Sequence, residues 1–214
     1  MKYELLDSFF QFFSEHGMIE FESIFSKQDL NLLSSLIQSS LSKPPRQDPW
    51  QMGHNLWKKQ SEIKKILFKS PVGEIASFLY KKKPIRLGYT QIISTHHSSP
   101  FPNPHTLEEI SSITPIVGGA LLCLSSSIEQ VEKTATPNLS LPQSGRAFFF
   151  SSKTPIPFPD LYAHKDLLCI LFCFVSTGAR YKLNPLDIHT HALKRSGYAF
   201  GDLIGQEEAP FLFH

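Results

Sequence analysis

Apolar positions in the first third of the chain recur at helical spacing. Leu5, Leu6, Phe9, Phe10, Phe12 and Phe13 form one stripe, and His16-Gly17 supplies a helix stop. Residues 18–25, MIEFESIF, read as a short strand. Ser26 followed by Asp29 is a variant capping box, and Leu30, Leu33, Leu36 and Ile37 make the stripe of a second helix that Lys43-Pro44-Pro45 ends. A loop carrying Trp50 and Trp57 leads to a short amphipathic helix through Ser61, Ile63, Ile66 and Leu67. Pro71 then opens another helix at the first position, where a missing N–H does no harm, with Ile75, Phe78 and Leu79 facing inward.

After Lys83 the period changes. Short apolar runs at 85–94, 116–125, 145–150, 167–175 and 179–183 are separated by Ser-, Pro- and Thr-rich stretches and read as strands. They do not alternate with long helices, which argues against a doubly wound parallel sheet. The expected class is α+β: a double-stranded β-helix (jelly-roll, cupin-like) core over residues 84–214, flanked by a mainly helical part, 1–83, packing on it in a single domain 1–214.

Composition sharpens this picture in three places. Eighteen phenylalanines in 214 residues predict a core dominated by aromatic packing. The net charge of +2 is uneven: Lys58 to Arg86 carries nine Lys/Arg against two Glu, a basic patch on an otherwise mildly acidic chain. Cys123, Cys169 and Cys173 lie in apolar runs, form no CxxC pair and are odd in number, so they read as small buried hydrophobes in a reducing compartment. The acids in MKYELLDSFF argue against a signal peptide, and no run approaches the roughly 20 apolar residues of a membrane span. A cytoplasmic protein with no membrane partner is expected.

The chemistry-bearing stretch is NPLDIHTHALKRSGYAFGD, residues 184–202. Asp187, His189 and His191 stand at alternate positions, which share one face in a strand. Two imidazoles and a carboxylate are also the ligand set of mononuclear non-haem iron. Spacing works against the extended version. Residues two apart are about 6.5 Å apart along a strand, so Asp187 and His191 would stand about 13 Å apart. Metal bonds are about 2 Å long, so one ion takes all three only if the segment bends. The plain alternative is an Asp187–His189 hydrogen bond with His191 beside a short helix, ALKR. His97, with His96 and His105 nearby, completes the candidate metal set, set against a solvated loop. Lys81-Lys82-Lys83 either complements a helix C-terminus or, with Lys58, Lys59, Lys64 and Lys65, forms a phosphate-binding face. No helix-turn-helix, zinc-finger or RNA-binding signature accompanies it. Trp50 and Trp57 pin a loop to the core or stack a ligand. Gly118-Gly119 is a strand segment with room for close approach.

Longer stretches carry a resemblance. FFQFFSEHGMIEFESIFSKQDLNLLSSLI, LWKKQSEIKKILFKSPVGEIASFLYKKKPIRLGYTQIIS, ITPIVGGALLCLSS and SGRAFFFSS, in that order, resemble the phytanoyl-CoA dioxygenase branch of the 2-oxoglutarate, Fe(II)-dependent oxygenases. The same stretches look like an uncharacterised protein family of chlamydial bacteria. The resemblance implies a double-stranded β-helix with an H-x-D or H-x-E pair after the strand at 85–94 and a histidine after the one at 145–150. The first place reads Thr95-His96-His97-Ser98-Ser99 and has no acid; the second reads Ser151-Ser152-Lys153-Thr154-Pro155 and has no histidine. The literal H-x-D, His164-Lys165-Asp166, comes too late, with 48 residues after it, and otherwise reads as a turn. Lys165 or Arg180 would face the 2-oxoglutarate carboxylate. The leading expectation is therefore a non-catalytic or divergent relative that binds a small molecule or protein partner, with no cofactor. One alternative is a divalent-metal-responsive regulatory protein that binds nucleic acid, using Asp187, His189, His191 and His97 for the metal. Another is an active oxygenase with rearranged ligands around Fe(II) and 2-oxoglutarate.

Overall fold

The computed structural model describes residues 4–42, 49–95, 100–125, 143–164 and 166–214. Helix α1 (Asp7–His16) ends on Gly17, whose φ of 72° is left-handed, as the His16-Gly17 stop predicts. Strand β1 (Met18–Glu22) is shorter than the apolar run, because Ser23 turns the chain with a φ of 58°. Ser26 caps α2 (Lys27–Leu41): its hydroxyl accepts from the Asp29 N–H at 3.0 Å and donates to the Asp29 carboxylate at 2.7 Å. The expected Lys43-Pro44-Pro45 stop lies outside the described residues.

The loop between the tryptophans holds two short helices, α3 (Pro49–Met52) and α4 (Leu56–Lys59), and both indoles are buried. Helices α5 (Ser61–Lys69) and α6 (Val72–Tyr80) follow, with Pro71 at the cap of α6 rather than at its first helical position. Then come β2 (Ile85–Ser94), α7 (Leu107–Ile110), β3 (Ile113–Ser125), β4 (Arg146–Ser151), α8 (Phe158–Ala163), β5 (Leu168–Tyr181), α9 (Ala192–Arg195) and β6 (Phe211–Phe213). The runs at 167–175 and 179–183 form one 14-residue strand, β5, not two.

All six strands belong to one antiparallel sheet in the order β1-β4-β3-β5-β2-β6. The described residues thus make half of the expected jelly roll. Where a facing sheet would lie, α7, α8, α9 and turns cover the sheet instead. Their sequences explain this. Pro155, Pro157, Pro159 and Pro185 each lack the N–H that a strand ladder needs.

The sheet separates two cores. On one face Phe149, Phe172 and Phe174 pack against Leu33, Ile37, Ile63 and Ile75 of the N-terminal helices. On the other, Leu121, Cys169, Leu171 and Cys173 meet Trp50, Leu107, Phe158 and Leu193. Register fixes the second face: Leu171 stands opposite both Gln91 of β2 and Leu121 of β3. All three cysteines are buried and free. Among the described residues no helix is long and apolar enough to cross a membrane.

Two contacts tie these layers together. The buried Arg86 donates to the carbonyls of Ile204, Gly205 and Ala209 at 2.5 to 2.8 Å, which anchors the C-terminal segment beside β2. Tyr80 of α6 reaches under the sheet and donates to the carbonyls of Gly119 at 2.7 Å and Phe150 at 3.0 Å. That approach needs Gly118, where an added Cβ would stand 2.3 Å from the Tyr80 ring. Gly118→Ala should therefore cost about 1–3 kcal/mol, the usual range for overpacking. Urea unfolding of Gly118→Ala, Tyr80→Ala and the double variant checks this. The double variant is expected to be less destabilised than the sum of the singles, whereas strict additivity would show that the two residues do not meet.

Candidate functional site

From Tyr89 onward strand β2 carries four polar side chains, Tyr89, Thr90, Gln91 and Ser94. Tyr89 and Gln91 point to the second face of the sheet, beside Ile93. The segment before α4 lies along β2: the Asn55 N–H donates to the Thr90 carbonyl, and the Ile92 N–H to the Gly53 carbonyl. Gly53 permits this, since a Cβ there would stand 2.9 Å from the Cβ of Ile92. His54, paired across from Gln91, is thereby held over the second face.

From the far side comes the turn after β5. Asp187 accepts from the backbone N–H groups of Ser112 and His189, at 2.7 Å each, one on each carboxylate oxygen. Tyr181 donates to the Thr190 carbonyl, and Asn184 to the carbonyls of Glu109 and Ser111. These bonds fix the turn so that the His189 ring lies on the His54 ring, centroids 3.8 Å apart and 25° from parallel. Between these parts is a cavity of about 430 Å³ lined by Trp50, His54, Tyr89, Gln91, Leu171 and His189 among others.

Hydrogen-bond partners assign the protons. The Asn55 carbonyl oxygen accepts from the Trp57 indole and the Thr90 N–H, so its NH₂ group is what faces His54 Nε2 at 3.1 Å. Nε2 of His54 is an acceptor, and the neutral ring carries its proton on Nδ1. That atom is the one buried side-chain polar atom among the described residues without a hydrogen-bond partner. Gln91 is fixed the same way. Its NH₂ donates to the carbonyls of Trp50 and Ile92, at 2.9 and 3.1 Å, leaving its oxygen to accept from His189 Nε2 at 3.3 Å. Burial, then the adjacent His189 and the cations Lys58 and Lys59, hold His54 well below the usual histidine range. Burial likewise pushes the Tyr89 phenol and the Cys173 thiol up.

Asp187, His189 and His191 lie in a turn, not a strand, so the alternation that would align them does not arise. Asp187 accepts from the His189 backbone N–H, and His191 is exposed at the start of α9. His96 and His97 lie outside the described residues. His105 sits apart, 3.6 Å from the Glu109 carboxylate. Asp166 sits in a left-handed turn before β5, and Lys165 is outside the described residues. Arg180 is exposed and donates to the Gly201 carbonyl. Among the described residues no three His, Cys, Asp or Glu side chains gather around one point. Of the donors that reach the cavity, His54 Nε2, His189 Nε2 and both Asp187 oxygens are engaged within the protein, unlike the open ligand set of an iron centre.

Five of the nine basic residues between Lys58 and Arg86 are engaged within the protein as well. Lys58 pairs with Glu208, Lys64 lies over Trp57 and Phe68, Lys81 over Phe10 and Phe78, and Lys83 over Phe213, while Arg86 is buried. Sequence reading did not single out His54, Tyr89, Gln91 or Asn55. The available signal was an amide, Gln91, next to Ile92-Ile93 in a strand run, and a Gly-His-Asn step between two tryptophans.

No family model and no curated protein matches the chain. Solved structures do. The non-haem α-ketoglutarate-dependent carbocyclase SnoK from nogalamycin biosynthesis aligns with a TM-score of 0.73 at 15% identity, over 97% of this chain and 96% of that one. The epimerase SnoN of the same biosynthesis aligns at 0.72 and 12% identity, over 96% and 98%. CT296 from Chlamydia trachomatis aligns at 0.56 and 18% identity, over 82% and 99%. At these identities the likeness is one of fold. The chain has a fold like that of the non-haem 2-oxoglutarate-dependent enzymes, and it is similar in fold to the chlamydial protein.

A pH dependence follows from the imidazole stack. His54 binds its proton less readily folded than unfolded, so the unfolded chain holds more protons below pH about 6.5. Stability should be full above that pH and fall as pH drops, by up to about 1.4 kcal/mol per unit until the folded-state value is reached. Denaturant melts between pH 7.5 and 5 are expected to show this slope in the wild type and a smaller one in His54→Gln. Equal slopes in the two proteins would contradict the assignment.

Proposed function

We propose that this protein uses a non-haem oxygenase fold, in a double-stranded β-helix lineage, to bind a small molecule in the His54–His189 cavity without standard iron chemistry. The observation that carries the reading is the mutual engagement of the cavity's donors. Asn55 and Gln91 take up Nε2 of His54 and of His189, and two backbone N–H groups take up the Asp187 oxygens. What remains is a partly open cavity that combines aromatic and aliphatic walls with fixed polar groups, a make-up suited to a small molecule. A structure of SnoN is described as holding Fe3+, alpha ketoglutarate and nogalamycin RO, and one of CytC3 as holding Fe(II) and alpha-ketoglutarate. Those enzymes make iron and 2-oxoglutarate the proper challenge for this chain.

Anaerobic titration of the full chain with Fe(II) and 2-oxoglutarate, followed by visible absorbance, is expected to give no metal-to-ligand charge-transfer band. A saturable band, with oxygen-dependent loss of 2-oxoglutarate that His189→Ala abolishes, would replace this reading by an active oxygenase with rearranged ligands.

A further inference from the structure

The hydrogen-bonding capacity left over around the cavity is one-sided. Its lining holds three cations, Lys58, Lys59 and Arg195, and two carboxylates, Asp187 and Glu208. Both carboxylates are engaged, Asp187 by two backbone N–H groups and Glu208 by Lys58. Gln91 has both N–H bonds directed at carbonyls. By contrast Lys59 and Arg195 make no ion pair among the described residues, and the His54 Nδ1–H has no acceptor. These three groups are all donors, and Lys59 and Arg195 are cations. An occupant that completes this set supplies acceptors and negative charge.

Beside these groups and the hydroxyls of Ser111, Ser112 and Ser196, one wall of the cavity is apolar. Trp50 and Phe101 meet edge to face with ring centroids 5.5 Å apart, and Ile113, Leu171 and Leu193 continue the wall. A simple inorganic anion leaves these surfaces wet, whereas an apolar body buries against them at about 25 cal/mol per Å². The positive field reaches the floor of the cavity, since Lys58 and Lys59 both help to keep His54 neutral.

We infer that the cavity takes a small organic carboxylate with an aromatic or aliphatic body, its charged end toward Lys59 and Arg195 at the rim. This deepens the proposed function and rests on the reading of the cavity as a ligand site. Isothermal titration of the full chain with 2-naphthoate, 2-naphthamide and succinate separates the two claims. Expected is 2-naphthoate binding about tenfold or more tighter than either of the others, equivalent to about 1.4 kcal/mol. The preference over the amide should vanish in Lys59→Gln/Arg195→Gln, whose changed side chains are exposed. Ala192→Phe, which fills the cavity from α9, should abolish binding. Equal affinity for naphthoate and naphthamide, both blocked by Ala192→Phe, would overturn the charge inference and leave the ligand site standing. Equal affinity for succinate and naphthoate would overturn the apolar body. No binding of any probe, or binding indifferent to Ala192→Phe, would overturn the inference together with the cavity reading.

Discussion

A carboxamide buried in an apolar sheet must be fully hydrogen-bonded, and the way Gln91 meets that demand organises the site. At 1% exposure its unmatched polar atoms would cost several kcal/mol. It bonds to Trp50 in α3, to its own strand and to His189 in the turn after β5, so segments about 40 and 100 residues away in sequence are brought to one point. Asn55 does the same for His54, and Asp187 for the turn itself. Each of these side chains has its orientation set by partners that leave it one option.

That rigidity underlies our proposal that a fold like that of iron-dependent enzymes serves a different use here. In the oxygenase pattern, imidazoles and a carboxylate present free lone pairs toward one ion. Here the two imidazoles stack face to face, and the Nε2 atom of each meets a neighbouring side-chain amide. Fold and chemistry are separable, because the sheet supplies a floor and the loops supply the atoms. The loops of this chain supply donors to each other, a cationic rim and aromatic walls.

Much of the scaffold was legible in the sequence because local rules set it. The Gly17 stop, the Ser26–Asp29 cap, the apolar stripes of the helices and the run at 85–94 all act within a few residues. The close approach at Gly118-Gly119 was also legible, although its partner Tyr80 was not. What failed depended on distant partners. The split of β5 into two runs followed Ser176-Thr177-Gly178, where the strand runs on but its pairing with β3 shifts register, from Ile116 opposite Val175 to Thr114 opposite Arg180. Asp187, His189 and His191 suggested a strand face because alternation is a local signal. The turn that replaces it is held by Ser112, Tyr181 and Asn184, none of which the pattern marks. His54 and Gln91 are 37 residues apart in sequence and acquire meaning only when β2 and the α3–α4 segment lie side by side.

The most direct test of the account is a long-range proton–nitrogen NMR spectrum of the imidazole rings at pH 7.5, with and without an equivalent of Zn(II) as a redox-silent stand-in for Fe(II). The account predicts a neutral His54 with its proton on Nδ1, a His189 with a proton on Nε2, and the same signals after the metal is added. A His54 protonated on Nε2, or a joint shift of both rings on adding zinc, would show that these nitrogens are available to an ion and would contradict it.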